Sequence, residues 1–193
     1  MQSENGLYFV FRSLQATYLI YAGLGETINL YLGALIDNND SFDIQTDANM
    51  VHAQNPNSIL NNDGTLTKSF SGDGDSVTKI AAEFTNSGDF SVASGSVDFQ
   101  RTFTQTSDGT LFVDIADSDF DSFAITQGAT LDGILDINLA GGYTPPVTTT
   151  FEIMTCNTCS GTFATIINQS IGNGTEFVPN YGSNDVTLEV MNE

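Results

Sequence analysis

The sequence predicts an all-β fold, a parallel β-helix (β-solenoid) of about five to six coils, and three observations carry that expectation. First, five segments open on a glycine and continue with alternating apolar residues. They are Gly64-Thr65-Leu66, Gly88-Asp89-Phe90-Ser91-Val92, Gly109-Thr110-Leu111-Phe112-Val113, Gly133-Ile134-Leu135-Asp136-Ile137 and Gly161-Thr162-Phe163. Their starts lie 24, 21, 24 and 28 residues apart, and recurrence near a fixed period marks coils that stack on one another. Second, apolar and polar residues alternate, as in Val113-Asp114-Ile115 and Ile137-Asn138-Leu139, which is the period of a strand. Third, the acidic residues are mostly Asp, set among Asn, Ser, Thr and Gly. These types favour turns and strand edges and disfavour helix interiors.

Taken in order, residues 1–36 stand apart. They are rich in Leu, Tyr, Ile and Phe and carry only Glu4, Arg12 and Glu26 as charges. A solenoid end exposes core and unpaired strand edges, so this segment reads as an apolar N-terminal cap, with an assembly strand as the alternative. The β-solenoid body is expected over 37–193. A second phrase, Asp40-Ser41-Phe42-Asp43-Ile44, recurs as Asp75-Ser76-Val77-Thr78-Lys79-Ile80 and Asp121-Ser122-Phe123-Ala124-Ile125, as expected if each coil holds two or three short strands. Gly141-Gly142-Tyr143-Thr144-Pro145-Pro146 falls where the glycine spacing lengthens, and reads as a loop leaving one coil. The tail, from Gly172-Asn173-Gly174 to Val190, reads as two strands around a turn that close the C-terminal end.

Composition excludes some partners. The 193 residues hold 24 Asp plus Glu against 4 Lys plus Arg, a formal net charge of -20. Such a surface repels phosphates, because nucleic acid binding depends on Lys and Arg displacing counterions. No nucleic acid partner is expected. No uninterrupted apolar run approaches the ~20 residues of a membrane-spanning helix, so no membrane insertion is expected. Met1 to Gly6 has no basic segment, and the apolar stretch behind it is broken by Arg12, Ser13 and Gln15; no secretory leader is legible.

The segments Phe84 to Gly88, Val92 to Phe99 and Phe103 to Leu111 resemble repeats of bacterial surface and secreted β-helix proteins, of the autotransporter-passenger and adhesin-like kinds. So do Gly128 to Leu139, Gly142 to Pro145, Phe151 to Thr155 and Ser160 to Ala164. The resemblance covers roughly residues 82–190 and implies an extracellular or cell-surface bacterial location.

Few residues offer chemistry. Cys156 and Cys159 form a Cys-x-x-Cys in a strand-turn-strand context. Redox chemistry of the thioredoxin type needs the pair at a helix N-terminus, and zinc needs two further ligands. A small disulfide pinning a turn is the expectation. His52 stands without a nucleophile motif. Three clusters place hard oxygen ligands at alternate positions: Asp37, Asp40 and Asp43; Asp73 and Asp75; Asp117, Asp119 and Asp121. Calcium takes 6–8 such oxygens, so these are calcium candidates, with solvated acidic turns as the alternative. No other cofactor is indicated.

The expected function is a non-catalytic structural or adhesive module, not an enzyme. Its partners are itself, as a homo-oligomer or filament, or a surface glycan or protein. Alternatives are a glycan hydrolase of β-helix type, which needs two carboxylates at a defined separation, and an ice-binding solenoid. The last would need Thr rows in one register, and Thr102-Phe103-Thr104 and Thr148-Thr149-Thr150 do not recur so in the sequence.

Overall fold

The computed structural model describes residues 14–16, 19–21, 27–30, 33–52, 57–69, 77–117 and 120–193. The chain is an all-β parallel solenoid with three faces. Its coils run β1 (Leu14–Ala16), β2 (Leu19–Tyr21), β3 (Ile28–Leu30); β4 (Leu35–Asn38), β5 (Ser41–Ile44), β6 (Met50–His52); and β7 (Ile59–Asn62), β8 (Thr65–Lys68), β9 (Val77–Ile80). Then follow β10 (Glu83–Asn86), β11 (Asp89–Val92), β12 (Ser96–Phe99) and β13 (Phe103–Gln105), β14 (Thr110–Ile115). Next come β15 (Phe123–Leu131), β16 (Ile134–Leu139), β17 (Thr150–Gly161) and β18 (Thr165–Ile167). Each strand pairs in parallel with its equivalent one coil on. Six coils are complete, and the end of β17 with β18 begins a seventh.

The first face stacks β1, β4, β7, β10 and β13; the second stacks β2, β5, β8, β11, β14, β16 and β18; the third stacks β3, β6, β9 and β12. The long strands β15 and β17 turn a corner without ending. Phe123 to Ile125 pair on the third face and Ala129 to Leu131 on the first, with the register shifting between them.

The first four glycine phrases mark one corner, the passage from first face to second, and the fifth opens just before it, with Gly161 beside Leu131 at the end of β17. There the backbone of one coil rests on the next: Gly88 N donates to Asn62 O and Asp89 N to Gly64 O. A Cβ on Gly88 would overlap the Gly64 carbonyl oxygen, so only glycine lets the coils close at this point. After the glycine, Leu66, Phe90, Leu111 and Leu135 share one inward register and are fully buried.

The second phrase does not map to one place. Phe42 of its first copy lies on the second face, in register with Leu66. Val77 and Phe123 of its other copies lie on the third face, where Val77 pairs Ser96 but Phe123 pairs Val97. Alternation alone cannot tell one three-residue strand from another.

Three inward rows fill the interior. In the fourth coil each face supplies a phenylalanine. Phe84 stacks on Phe99 with ring centroids 4.8 Å apart, and Phe90 meets both edge-on. Each such side chain contributes ~1.5–3 kcal/mol by leaving water. On the second face a charged residue takes one inward position. Lys68, between Ile44 and Val92, is fully buried and pairs its Nζ with Asp47 Oδ1 at 2.8 Å.

The Pro-rich segment leaves the sixth coil as expected, through a 3-10 turn at Ala140–Gly142. The tail forms β19 (Ser170–Gly172), β20 (Thr175–Tyr181) and β21 (Asp185–Asn192). The pairs β19–β20 and β20–β21 are antiparallel, and β21 lies antiparallel along β17. The tail therefore covers the last strand of the third face. At the other end, the boundary expected after residue 36 falls inside β4. Residues 1–13 of the expected cap lie outside the described residues.

Candidate functional site

A parallel solenoid repeats its outward side chains in rows, one coil apart, at the ~4.8 Å spacing of neighbouring strands. On the first face one row reads Asp37, Asn61, Thr85, Thr104, Thr130, Ser160. Asn61 Nδ2 donates to Asp37 Oδ1 at 2.7 Å, and the row beyond is hydroxyl-bearing and uncharged. Thr104 shares its register with Thr85 and Thr130, single threonines outside the Thr-x-Thr phrases. Unequal coil lengths hide the row from any fixed-period search.

Just inside that row runs a ladder of buried amides. Asn38 Nδ2 donates to Asn62 Oδ1 at 2.6 Å, Asn62 Nδ2 to Asn86 Oδ1 at 2.6 Å, and Asn86 Nδ2 to Gln105 Oε1 at 3.0 Å. Each Nδ2 also donates to the backbone across the corner, to the carbonyls of Thr65, Asp89 and Thr110. Stacked amide ladders of this kind tie parallel strands together. The ladder stops where its register partner in the next coil is apolar. Leu131 follows Gln105, whose Nε2 has no partner among the described residues. The role is structural, and the sequence reading missed it. Its one signal was an Asn two residues before the glycine, at Asn62 and Asn86.

The calcium candidates among the described residues are spread over the surface. Asp37 is on the first face and Asp43 on the second, where Asp43 Oδ2 accepts from Gln45 Nε2 at 2.6 Å. Asp40 lies between them at the corner, exposed, its carbonyl accepting from Thr65 N. Asp121 Oδ2 accepts from Asp114 N at 2.9 Å, and Asp117 is exposed. Asp73, Asp75 and Asp119 lie outside the described residues. Among the described residues, no three acidic, His or Cys side chains are placed to hold a metal ion together.

Cys156 and Cys159 form a disulfide, with Cα atoms 5.7 Å apart. It spans the corner where β17 passes from third face to first. The same corner receives the tail: Cys156 N donates to Asn184 O and Cys159 N to Ser183 O, both at 2.8 Å, and Asn184 Nδ2 donates to Asn157 O at 2.6 Å. Nearby, burial raises the Tyr181 hydroxyl pKa above the usual tyrosine value, while the hydrogen bond it accepts from Phe163 N works in the opposite direction.

The third face carries two neighbouring hollows. One, of about 540 Å³, is lined by Lys79, Asp98, Phe120, Ser122 and Glu152 among others. The second, of about 450 Å³, is lined by His52, Lys79, Gln100, Arg101 and Gln127 among others. Lys79 borders both, so they form one trough. Asp98 is the register partner of Lys79, but its Oδ2 accepts from Gln100 Nε2 at 2.6 Å. No protein-family model matches the chain, and no curated protein matches it significantly.

Proposed function

We propose that the chain is a non-catalytic structural or adhesive module of the bacterial cell surface or exterior, acting through surface binding or self-assembly. The observation that carries this reading is the stack itself. Six coils present continuous, in-register outer rows, such as Thr85, Thr104, Thr130 and Ser160, and a repeated surface suits a repeated ligand or a second copy. The resemblance to surface and secreted β-helix proteins agrees with it.

The test is direct. Purified full-length protein is imaged by electron microscopy for filaments and assayed for adhesion to glycan-coated and protein-coated surfaces. Saturable adhesion or ordered assembly is expected; neither, at any salt concentration, overturns the reading. One observation favours a second reading, glycan hydrolysis. Asp98 and Glu152 line one hollow of the third face, and paired carboxylates are the machinery of glycosidases. Release of reducing ends from a polysaccharide, lost in Asp98→Asn or Glu152→Gln, would establish the hydrolase in place of the adhesive module.

A further inference from the structure

The distribution of positive charge is more informative than its amount. Among the described residues the basic side chains are His52, Lys68, Lys79 and Arg101. Lys68 is spent inside the core on Asp47. The remaining three line one hollow of the third face, together with the amides of Asn49, Gln100 and Gln127. Among the described residues no carboxylate lines that hollow, although the chain carries 24 of them. Among the described residues, neither Lys79 nor Arg101 makes a side-chain hydrogen bond or ion pair. Lys79 is exposed and Arg101 half-buried; Asp98 and Glu152 line the neighbouring hollow with Lys79 but form no ion pair with it among the described residues, so the two cations mark a place where negative charge comes from elsewhere.

We propose that this trough binds an acidic polysaccharide through its carboxylate or sulfate groups. This rests on the surface-binding reading above and names its ligand class. His52 belongs to the second coil, Lys79 to the third, Gln100 and Arg101 to the fourth, and Gln127 to the fifth. Three coil steps make this cationic hollow ~14 Å long, room for a short run of sugars. Arg101 suits a planar carboxylate or a sulfate through paired donors, and Lys79 supplies a point charge. The amides serve sugar hydroxyls, and Phe120, 38% exposed at the far end, offers a face for a sugar ring. The net charge of -20 does not forbid this. At ~0.15 M salt the Debye length is ~8 Å, so a ligand in the trough feels the nearest charges rather than the whole surface.

The experiment measures binding isotherms of the full-length protein at ~0.15 M salt. The probes are polygalacturonate, dextran sulfate, neutral dextran and polyglutamate. Saturable binding to polygalacturonate or dextran sulfate, and none to dextran, is expected; which polymer binds separates carboxylate from sulfate recognition. Lys79→Gln combined with Arg101→Gln should weaken it at least about tenfold. Thr162→Gln, exposed between β17 and β18 and away from the trough, should leave it unchanged. Circular dichroism and the urea midpoint establish that both variants fold.

The proposal is overturned by binding to neither acidic polysaccharide, by equal binding to dextran, or by binding to polyglutamate alone. It is overturned equally by a double variant that binds as the parent does. A parent that adheres to surfaces, with the double variant adhering as well, sinks the trough and leaves the adhesive reading standing. A parent that neither adheres nor assembles sinks both.

Discussion

Replacing Asn62 by alanine removes the middle rung of the amide ladder, and its consequence can be worked from the geometry. Asn62 is fully buried. Its Oδ1 accepts from Asn38, and its Nδ2 donates to Asn86 Oδ1 and to Asp89 O, at 2.6, 2.6 and 2.9 Å. A buried hydrogen bond contributes ~1 kcal/mol net, and a buried group left without a partner costs ~1–3 kcal/mol. After substitution Asn38 Nδ2 keeps Thr65 O, while Asn86 Oδ1 and Asp89 O lose the Asn62 donor. Asn62→Ala should therefore destabilise the fold by ~3–5 kcal/mol. The neighbour provides the control. Asn61 points outward and makes one half-buried bond, to Asp37, which water replaces. Asn61→Ala should cost ~1 kcal/mol or less. Urea unfolding followed by far-ultraviolet circular dichroism gives both values by linear extrapolation. Asn62→Asp is the sharper variant: it keeps the acceptor but sets a carboxylate against two oxygens, so it should be worse than alanine at neutral pH. If Asn62→Ala costs no more than Asn61→Ala, the ladder does not hold the corner and the reasoning fails.

Lys68→Met should destabilise by ~3–5 kcal/mol, because it leaves the nearly buried Asp47 without its cation; the urea midpoint measures it. Serine at both Cys156 and Cys159 should leave the fold and any adhesion intact and cost ~3 kcal/mol or less, since so short a loop restrains little chain entropy. A variant that no longer folds would refute this. With its folded pKa raised by burial, Tyr181 favours the neutral form in the native state. Its contribution to stability is complete below the unfolded value of about 10 and is lost as pH rises through the folded value. Ultraviolet titration should show a tyrosine ionising above the usual value of about 10, and Tyr181→Phe should remove that step.

The corner that organises the fold was legible, because a repeated backbone collision excludes every residue but glycine and so leaves a periodic mark at Gly64, Gly88 and Gly109. The Pro-rich excursion and the tail strands were legible for similar reasons: their turn chemistry is local. Register was not. Asn38, Asn62 and Asn86 are spaced by 24 and 24 residues, but the next rung, Gln105, follows after 19. Loops between strands absorb the difference at no cost to pairing, so the Thr85–Thr104 row and the ladder's last rung escape any fixed period. An Asn near a Gly also reads as an ordinary turn residue. The trough was least visible, since His52, Lys79 and Arg101 come together only once the coils are stacked.

The amides of the ladder all point the same way, each donating toward the next coil, and every pairing from coil to coil is parallel. The column therefore has a direction, like an arrow. A second copy could prolong it only tip to tail. Such a contact joins two different surfaces and, unless it closes into a ring, repeats without limit into a fibre. The antiparallel strands β20 and β21 interrupt that path on one face: they occupy the edge of β17 and turn the last pairing against the grain. The edge of β18, on another face, pairs only with β16 among the described residues. Whether the molecule remains a short rod or becomes a thread is thus decided at a few strand edges, not along its six coils.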